Sequence, residues 1–178
     1  MSTQIAFLRG VNLGAHNRIA MADLRALVEG LGYDDARTYL QSGNVVFTAR
    51  PKPATTAKAI REAIEAELGL SVPVVVRTAA EIATVVQTNV LADVVTDPAR
   101  YLVHFADGTP DAAGVEALEG LEIAPEVIRA AGREIYQWCP DGVSKSKVKP
   151  ASFRRLKVPV TGRNWTTVQR VLAMTADM

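Results

Sequence analysis

The stretch Ile5-Ala6-Phe7-Leu8-Arg9-Gly10-Val11-Asn12-Leu13-Gly14-Ala15-His16-Asn17-Arg18 decides the fold: a short apolar run passes into a polar, glycine-rich loop. Beyond it Met21, Leu24, Leu27, Val28 and Leu31 recur at helical spacing, and Gly32 stops that helix. Residues 37–41 and 44–48 are rich in β-formers and joined through Ser42-Gly43, a hairpin signal. Thr55 or Thr56 caps a second helix with Ile60, Ile64 and Leu68 on one stripe before Gly69, and residues 72–77 form a β-branched strand. The order β-α-β-β-α-β predicts a ferredoxin-like unit. Its right-handed β-α-β crossover makes the first two strands parallel, so residues 9–18 and Ser42-Gly43-Asn44 share one edge of the sheet.

The pattern then starts again. Thr78-x-x-Glu81 is a capping box for a linking helix through Ile82, Val85 and Val86, and residues 89–98 read as a connection. Residues 101–105 form a strand, and Thr109-Pro110 starts a helix reaching Leu118. Residues 126–130 and 133–138 make a hairpin across Ala131-Gly132. A short helix starts at Pro150, residues 158–161 form a final strand, and Asn164 caps a last helix carrying Trp165, Val168, Val171 and Leu172. The expected fold class is α+β: two ferredoxin-like units with a linking helix and an extra C-terminal helix. The expected division is 1–78 for the first unit, 79–100 for the linking helix and connection, and 101–178 for the second unit with its helix.

Composition narrows the classes. A chain of 178 residues with 48% hydrophobic and 22% charged content has the material for a packed core and is not a disordered polymer. Apolar runs stay short of membrane-spanning length, so no membrane partner is expected. Met1-Ser2-Thr3-Gln4 does not begin a basic segment followed by an apolar core, and Cys139 is the single cysteine, so we expect a reducing, cytoplasmic location without a disulfide. A net charge of +1 sets up no global field for nucleic acid. The charge is uneven, however: residues 142–176 contain no Asp or Glu but carry Lys145, Lys147, Lys149, Arg154, Arg155, Lys157, Arg163 and Arg170. This segment either meets an anionic partner or pairs with acidic surface elsewhere.

Leu8-Arg9-Gly10-Val11-Asn12-Leu13-Gly14, Met21-x-x-Leu24 and Arg37-Thr38-Tyr39-Leu40-Gln41-Ser42-Gly43-Asn44-Val45-Val46-Phe47 closely resemble the bacterial family catalogued as domain of unknown function 1697. Arg133-Glu134-Ile135-Tyr136, Ser146-Lys147 and Gly162-Arg163-Asn164-Trp165-Thr166-Thr167-Val168 extend the resemblance over almost the whole chain. The resemblance implies an α+β architecture of ferredoxin-like units and implies no activity. The chain departs from the family's usual pattern at Ala15-His16, where glycine and lysine are commoner, around Thr167 and at Lys145. A role for a lysine in the first loop would fall here to His16 or Arg18.

The first loop lacks the Gly-Lys-Ser/Thr of a Walker A motif, and Gly10 and Gly14 do not fit a dinucleotide fingerprint. It does hold the ingredients of an anion cradle: Arg9 and Arg18 as charged donors, Asn12 and Asn17 as neutral ones, and glycines for close approach. The competing explanation is a loop whose Asn and Gly serve only positive φ angles. Ser42 and Asn44 on the neighbouring turn join the candidate set, as do Lys147 and Arg163, the latter because a cation just before a helix N-terminus opposes the dipole. Ser144-x-x-Lys147 has the spacing of a serine–lysine pair, but in a Ser- and Lys-rich stretch that spacing arises by chance. Cys139 has no nearby His, and His16 and His104 lack ligand spacing, so neither a metal site nor a cofactor is expected, and the catalytic residues are left unassigned.

Three functions compete. The first is binding of a phosphorylated small molecule or nucleotide at the donor-rich edge. The second is single-stranded nucleic-acid binding through the basic C-terminal segment, although only 6% of residues are aromatic. The third is a phosphate or acyl-phosphate enzyme, which the sequence supports with no acid–base pair. Oligomeric state is not encoded in any of these features.

Overall fold

The structure, a computed structural model, describes residues 1–178. In chain order it contains β1 (Ser2–Leu8), α1 (Met21–Gly30), β2 (Asp34–Tyr39), β3 (Asn44–Ala49), α2 (Pro53–Leu68), β4 (Val74–Thr78), α3 (Ala79–Thr88), β5 (Tyr101–Ala106), α4 (Ala112–Glu119), β6 (Val127–Ala131), β7 (Glu134–Trp138), β8 (Val160–Asn164) and α5 (Trp165–Ala173). Short 3-10 helices cover Pro98–Arg100, Val143–Lys145 and Pro150–Leu156. The chain divides into two compact units, Met1–Thr84 with Arg170–Met178, and Val85–Gln169. These bounds fall inside α3 and α5.

Each unit holds one four-stranded sheet, in the orders β2-β3-β1-β4 and β6-β7-β5-β8. All neighbouring strands are antiparallel, so β1 lies parallel to β2 and β5 parallel to β6. This is the ferredoxin-like arrangement expected from the sequence, made twice. In the first unit one sheet face carries Ala6, Leu8, Val45, Phe47, Val74 and Val76 against Leu24, Leu27, Ile60 and Ile64 of the helices. The other face carries Ile5, Phe7, Val46 and Val75, which are buried as well. Burial on both faces is why these strands read as unbroken apolar runs instead of an alternation.

Several element starts differ from the sequence expectation, each for a local reason. Helix α2 begins at Pro53, behind Lys52, because proline's fixed φ suits the first helical turn; Thr55 and Thr56 lie inside it. Helix α4 is capped by Asp111, whose carboxylate accepts from Gly114 N at 3.0 Å, and not by Thr109. Strand β2 starts at Asp34, with Asp35 at φ 55° and a register shift before Arg37. The short helix expected from Pro150 does start there, as a 3-10 helix over Pro150–Leu156. It lies so close to α4 that a Cβ on Gly114 would sit 1.9 Å from the Arg155 carbonyl oxygen. The Thr78–Glu81 capping box forms as expected: Thr78 N donates to Glu81 at 2.7 Å and Glu81 N to Thr78 Oγ1 at 3.1 Å. Asn164 likewise accepts from Thr167 N at 2.9 Å.

The last strand of each unit ends alike. Arg77 and Arg163 are both buried, at 2% and 8% exposure, and each precedes a capping residue and a helix. The repeat escapes a sequence comparison because little besides the arginine and the capping oxygen is shared.

Candidate functional site

The first loop is a small hairpin closed on itself. Asn12 N donates to Asn17 O at 3.0 Å, Leu13 and His16 form an isolated bridge, and Asn12 and Asn17 sit at φ 56° and 49°. The Asn12 side chain then ties this loop to the β2–β3 turn. Its Nδ2 donates to Ile19 O (2.9 Å) and Gln41 O (2.7 Å), while Oδ1 accepts from Ile19 N (2.9 Å). Both of its N–H donors and one lone pair of Oδ1 are thus used inside the protein. The sequence argument that residues 9–18 and 42–44 share an edge is thus met by a direct bond between loop and turn.

The turn is built just as tightly. Gly43 has φ 78°, and a Cβ there would stand 2.7 Å from Leu8 Cβ and 2.8 Å from Val11 Cγ2, so both the backbone angle and the space call for glycine. Leu8 N donates to Gly43 O at 2.9 Å. Asn44 is fully buried, its Nδ2 donating to Tyr39 O (2.7 Å) and Ser42 Oγ (3.0 Å). Asn12, Ser42, Gly43 and Asn44 therefore form a latch that fixes the shape of this edge.

The remaining candidates lie outside the latch. Arg9 is exposed, and only its backbone is engaged, Arg9 N donating to Pro73 O at 2.9 Å. Arg18 is exposed and makes one long contact, Nε to Gly14 O at 3.4 Å. Asn17 Nδ2 reaches Gly10 O at 3.4 Å, also long. His16 is exposed on the same hairpin. The loops at this edge, residues 9–20, 40–43 and 69–73, contain no Asp or Glu; the nearest carboxylates along the chain are Asp23 and Glu67. Helix α1 starts here behind Ala20, which offers no capping side chain, so the positive end of its dipole faces the loop.

Lys147 and Arg163 belong to the other unit, and each is held within it. Lys147 donates through its backbone N to Glu126 and through Nζ to Ala124 O. Arg163 lies inside β8, not on the surface ahead of the last helix. Its Nη1 donates to Gly162 O at 2.8 Å and Thr161 Oγ1 at 3.2 Å, and burial pushes its pKa down to about 10.

A buried polar chain in the second unit carries no sequence signal. His104 Nε2 pairs with Gln137 Oε1 at 2.8 Å. Gln137 Nε2 donates to Ser146 Oγ at 2.9 Å and to Glu126 at 3.3 Å, and Ser146 Oγ donates to Glu126 at 2.7 Å. Phe153 lies against the His104 ring, centroids 4.5 Å apart, and burial lowers the His104 pKa to about 4. Beside the network the Cys139 thiol is pushed up to about 11, first by burial and then by Glu126, which leaves it a poor nucleophile. The partners of Glu126 are 11 to 21 residues away in sequence, a spacing that matches no recognised motif. No group of three or more His, Cys, Asp or Glu side chains is arranged to hold a metal ion. No helix is long and apolar enough to cross a membrane.

Comparison with known proteins agrees with this architecture. Residues 1–136 match the family described as protein of unknown function (DUF1697). Among solved structures, the conserved bacterial protein SP0830 from Streptococcus pneumoniae superposes with a TM-score of 0.77 at 24% identity, over 97% of this chain and 98% of that one. At that identity the likeness speaks for the fold. A comparison with curated proteins returns no match.

Proposed function

The chain belongs to the DUF1697 family, whose description assigns no activity, and we propose that it binds a phosphorylated small molecule or nucleotide at the β1–α1 edge of its first unit. One observation carries this reading: Arg9 is an exposed cation without a side-chain partner, on an edge whose loops hold no carboxylate and whose shape is locked by Asn12 and Gly43. The bond from Arg9 N to Pro73 O fixes where the side chain leaves the backbone, and its guanidinium can form a forked pair with a phosphate. Arg18 and the uncapped start of α1 add positive potential around it, and exposed His16 adds a ring nitrogen on the same hairpin. Asn12, Ser42 and Asn44 position the edge and do not contact the ligand; Asn17 shares that positioning role.

Calorimetric titration with pyrophosphate and with a nucleoside triphosphate tests the proposal. Saturable binding at physiological salt is expected, weakened about tenfold or more by Arg9→Ala, since a charge-assisted pair supplies about 1.5–3 kcal/mol. Unchanged affinity in Arg9→Ala overturns it.

Single-stranded nucleic acid is the second reading, favoured by the exposed cations Lys145, Lys149, Arg154 and Arg155 in an acid-free segment of the second unit. It predicts a steep salt dependence of oligonucleotide binding, with a slope that shrinks in Lys145→Ala and Arg154→Ala and stays constant in Arg9→Ala.

A further inference from the structure

We propose that the ligand of the β1–α1 edge is an organic phosphate whose apolar or aromatic body lies over Leu13 and Leu40. This rests on the reading of that edge as an anion site and names the class of anion. Six large hydrophobic side chains are exposed, and Leu13 (72%) and Leu40 (54%) are the two leucines among them. Both belong to this edge. Leu13 follows Asn12 and Leu40 precedes Gln41, and the bond from Asn12 Nδ2 to Gln41 O (2.7 Å) joins the two turns that carry them. Exposed leucines scattered singly need no explanation, but two on adjoining turns form a small apolar surface.

The backbone at Leu40 does not call for leucine. Its φ is 56°, in the left-handed region where Cβ crowds the backbone and Gly or Asn is the ordinary choice. The other non-glycine residues with positive φ are Asn, Asp and Lys, so Leu40 is the one apolar side chain held in that conformation. Leucine is unfavourable here on two counts, backbone angle and exposure, and a contact from outside gives it a use. Charge sets the kind of contact. Arg18 Nε reaches Gly14 O at 3.4 Å, which places its guanidinium next to Leu13 in the hairpin. Arg9 follows Leu8, whose N–H is bonded to Gly43 O in the turn that also carries Leu40. Cations and leucines thus share one rim, on loops without a carboxylate. An inorganic polyphosphate satisfies the arginines and offers the leucines nothing. A phosphate ester serves both, with its charged end on the guanidiniums and its body covering the leucines.

Calorimetric titration of the full chain with methyl diphosphate, geranyl diphosphate and adenosine diphosphate tests this, since the three share the diphosphate and differ in the body. At least one of the two larger esters is expected to bind about tenfold or more tighter than methyl diphosphate, the gain from covering about 60 Å² of apolar surface. Which ester gains decides between an aliphatic chain and a nucleobase as the body. The gain should disappear in the double variant Leu13→Ser, Leu40→Asn, while methyl diphosphate binds as before. The urea midpoint of Leu40→Asn should be no lower than the parent's, because asparagine suits the angle at that position. Equal affinities for the three diphosphates overturn the inference, as does a gain that survives the double substitution. A lowered midpoint in Leu40→Asn also overturns it, by giving the leucine a role in the fold. Methyl diphosphate binding that is unchanged in Arg9→Ala contradicts the underlying anion reading instead, and absence of binding by all three contradicts both.

Discussion

The two units solve the same backbone problem with opposite charges. At the end of β1, Leu8 N donates to Gly43 O and Arg9 N to Pro73 O, both at 2.9 Å. At the end of β5, Ala106 N donates to Arg133 O at 3.0 Å and Asp107 N to Pro159 O at 2.8 Å. Arg9 and Asp107 thus occupy equivalent positions. In the first unit the cation stands on an edge whose loops are free of carboxylates. In the second, Asp107 is followed by Asp111, which is bonded to Lys157 at 2.9 Å. The fold supplies the same edge twice, and the proposed anion site rests on the one position where the two differ in charge.

The interiors differ as well. The first unit covers its sheet with α1 and the 16-residue α2 and fills the space between with aliphatic side chains. The second has the eight-residue α4 and a 3-10 helix, and the network around Glu126 occupies part of the space a longer helix would cover. A buried polar network is costly unless every member is satisfied, so this half should be the more sensitive to single changes.

The largest expected effect is Gly114→Ala, which drives a methyl group into the Arg155 carbonyl and should cost at least about 3 kcal/mol in urea unfolding. Gly43→Ala should cost about 2–4 kcal/mol, because backbone strain adds to the clash with Leu8 and Val11. Glu126→Ala should come next, at about 3 kcal/mol, since it strands the Ser146 hydroxyl, the Gln137 amide and the Lys147 N–H. Smaller still is the pH dependence from His104. Its folded pKa of about 4 lies below the ordinary 6.5, so between these values the unfolded chain binds more protons. Stability is therefore full above about pH 6.5 and declines towards pH 4 by an amount on the order of 2–3 kcal/mol, a decline that His104→Asn should flatten. Asn12→Ala ends the series at about 1–2 kcal/mol, with faster amide exchange in residues 12–19 as the local sign of a released latch.

The topology was legible because its signals are local: Gly32 and Gly69 end helices, Ser42-Gly43 marks a turn, and runs such as Val74-Val75-Val76 mark strands buried on both faces. Three-dimensional contacts moved the details. Nothing around Asp111 distinguishes it in sequence from Thr109 as the cap, and the close approach of Arg155 to Gly114 joins positions far apart in the chain. At the candidate site, the topology brought loop and turn together as the bond from Asn12 to Gln41 shows, but spacing alone did not separate side chains bonded inside the protein from exposed ones. Asn12 and Arg9 look equally suited to an anion until the former is seen bonded to Ile19 and Gln41. Burial of Arg163 was hidden for a related reason, since a cation next to a helix start reads as a surface residue until its strand is placed in the sheet.

The most direct test gives the first edge the residue its counterpart has. Arg9→Asp changes one exposed side chain and leaves the latch intact, so pyrophosphate titration and urea unfolding should part company. The account predicts that binding is abolished while the unfolding free energy stays within about 0.5 kcal/mol of the parent. Retained pyrophosphate binding in Arg9→Asp would contradict it.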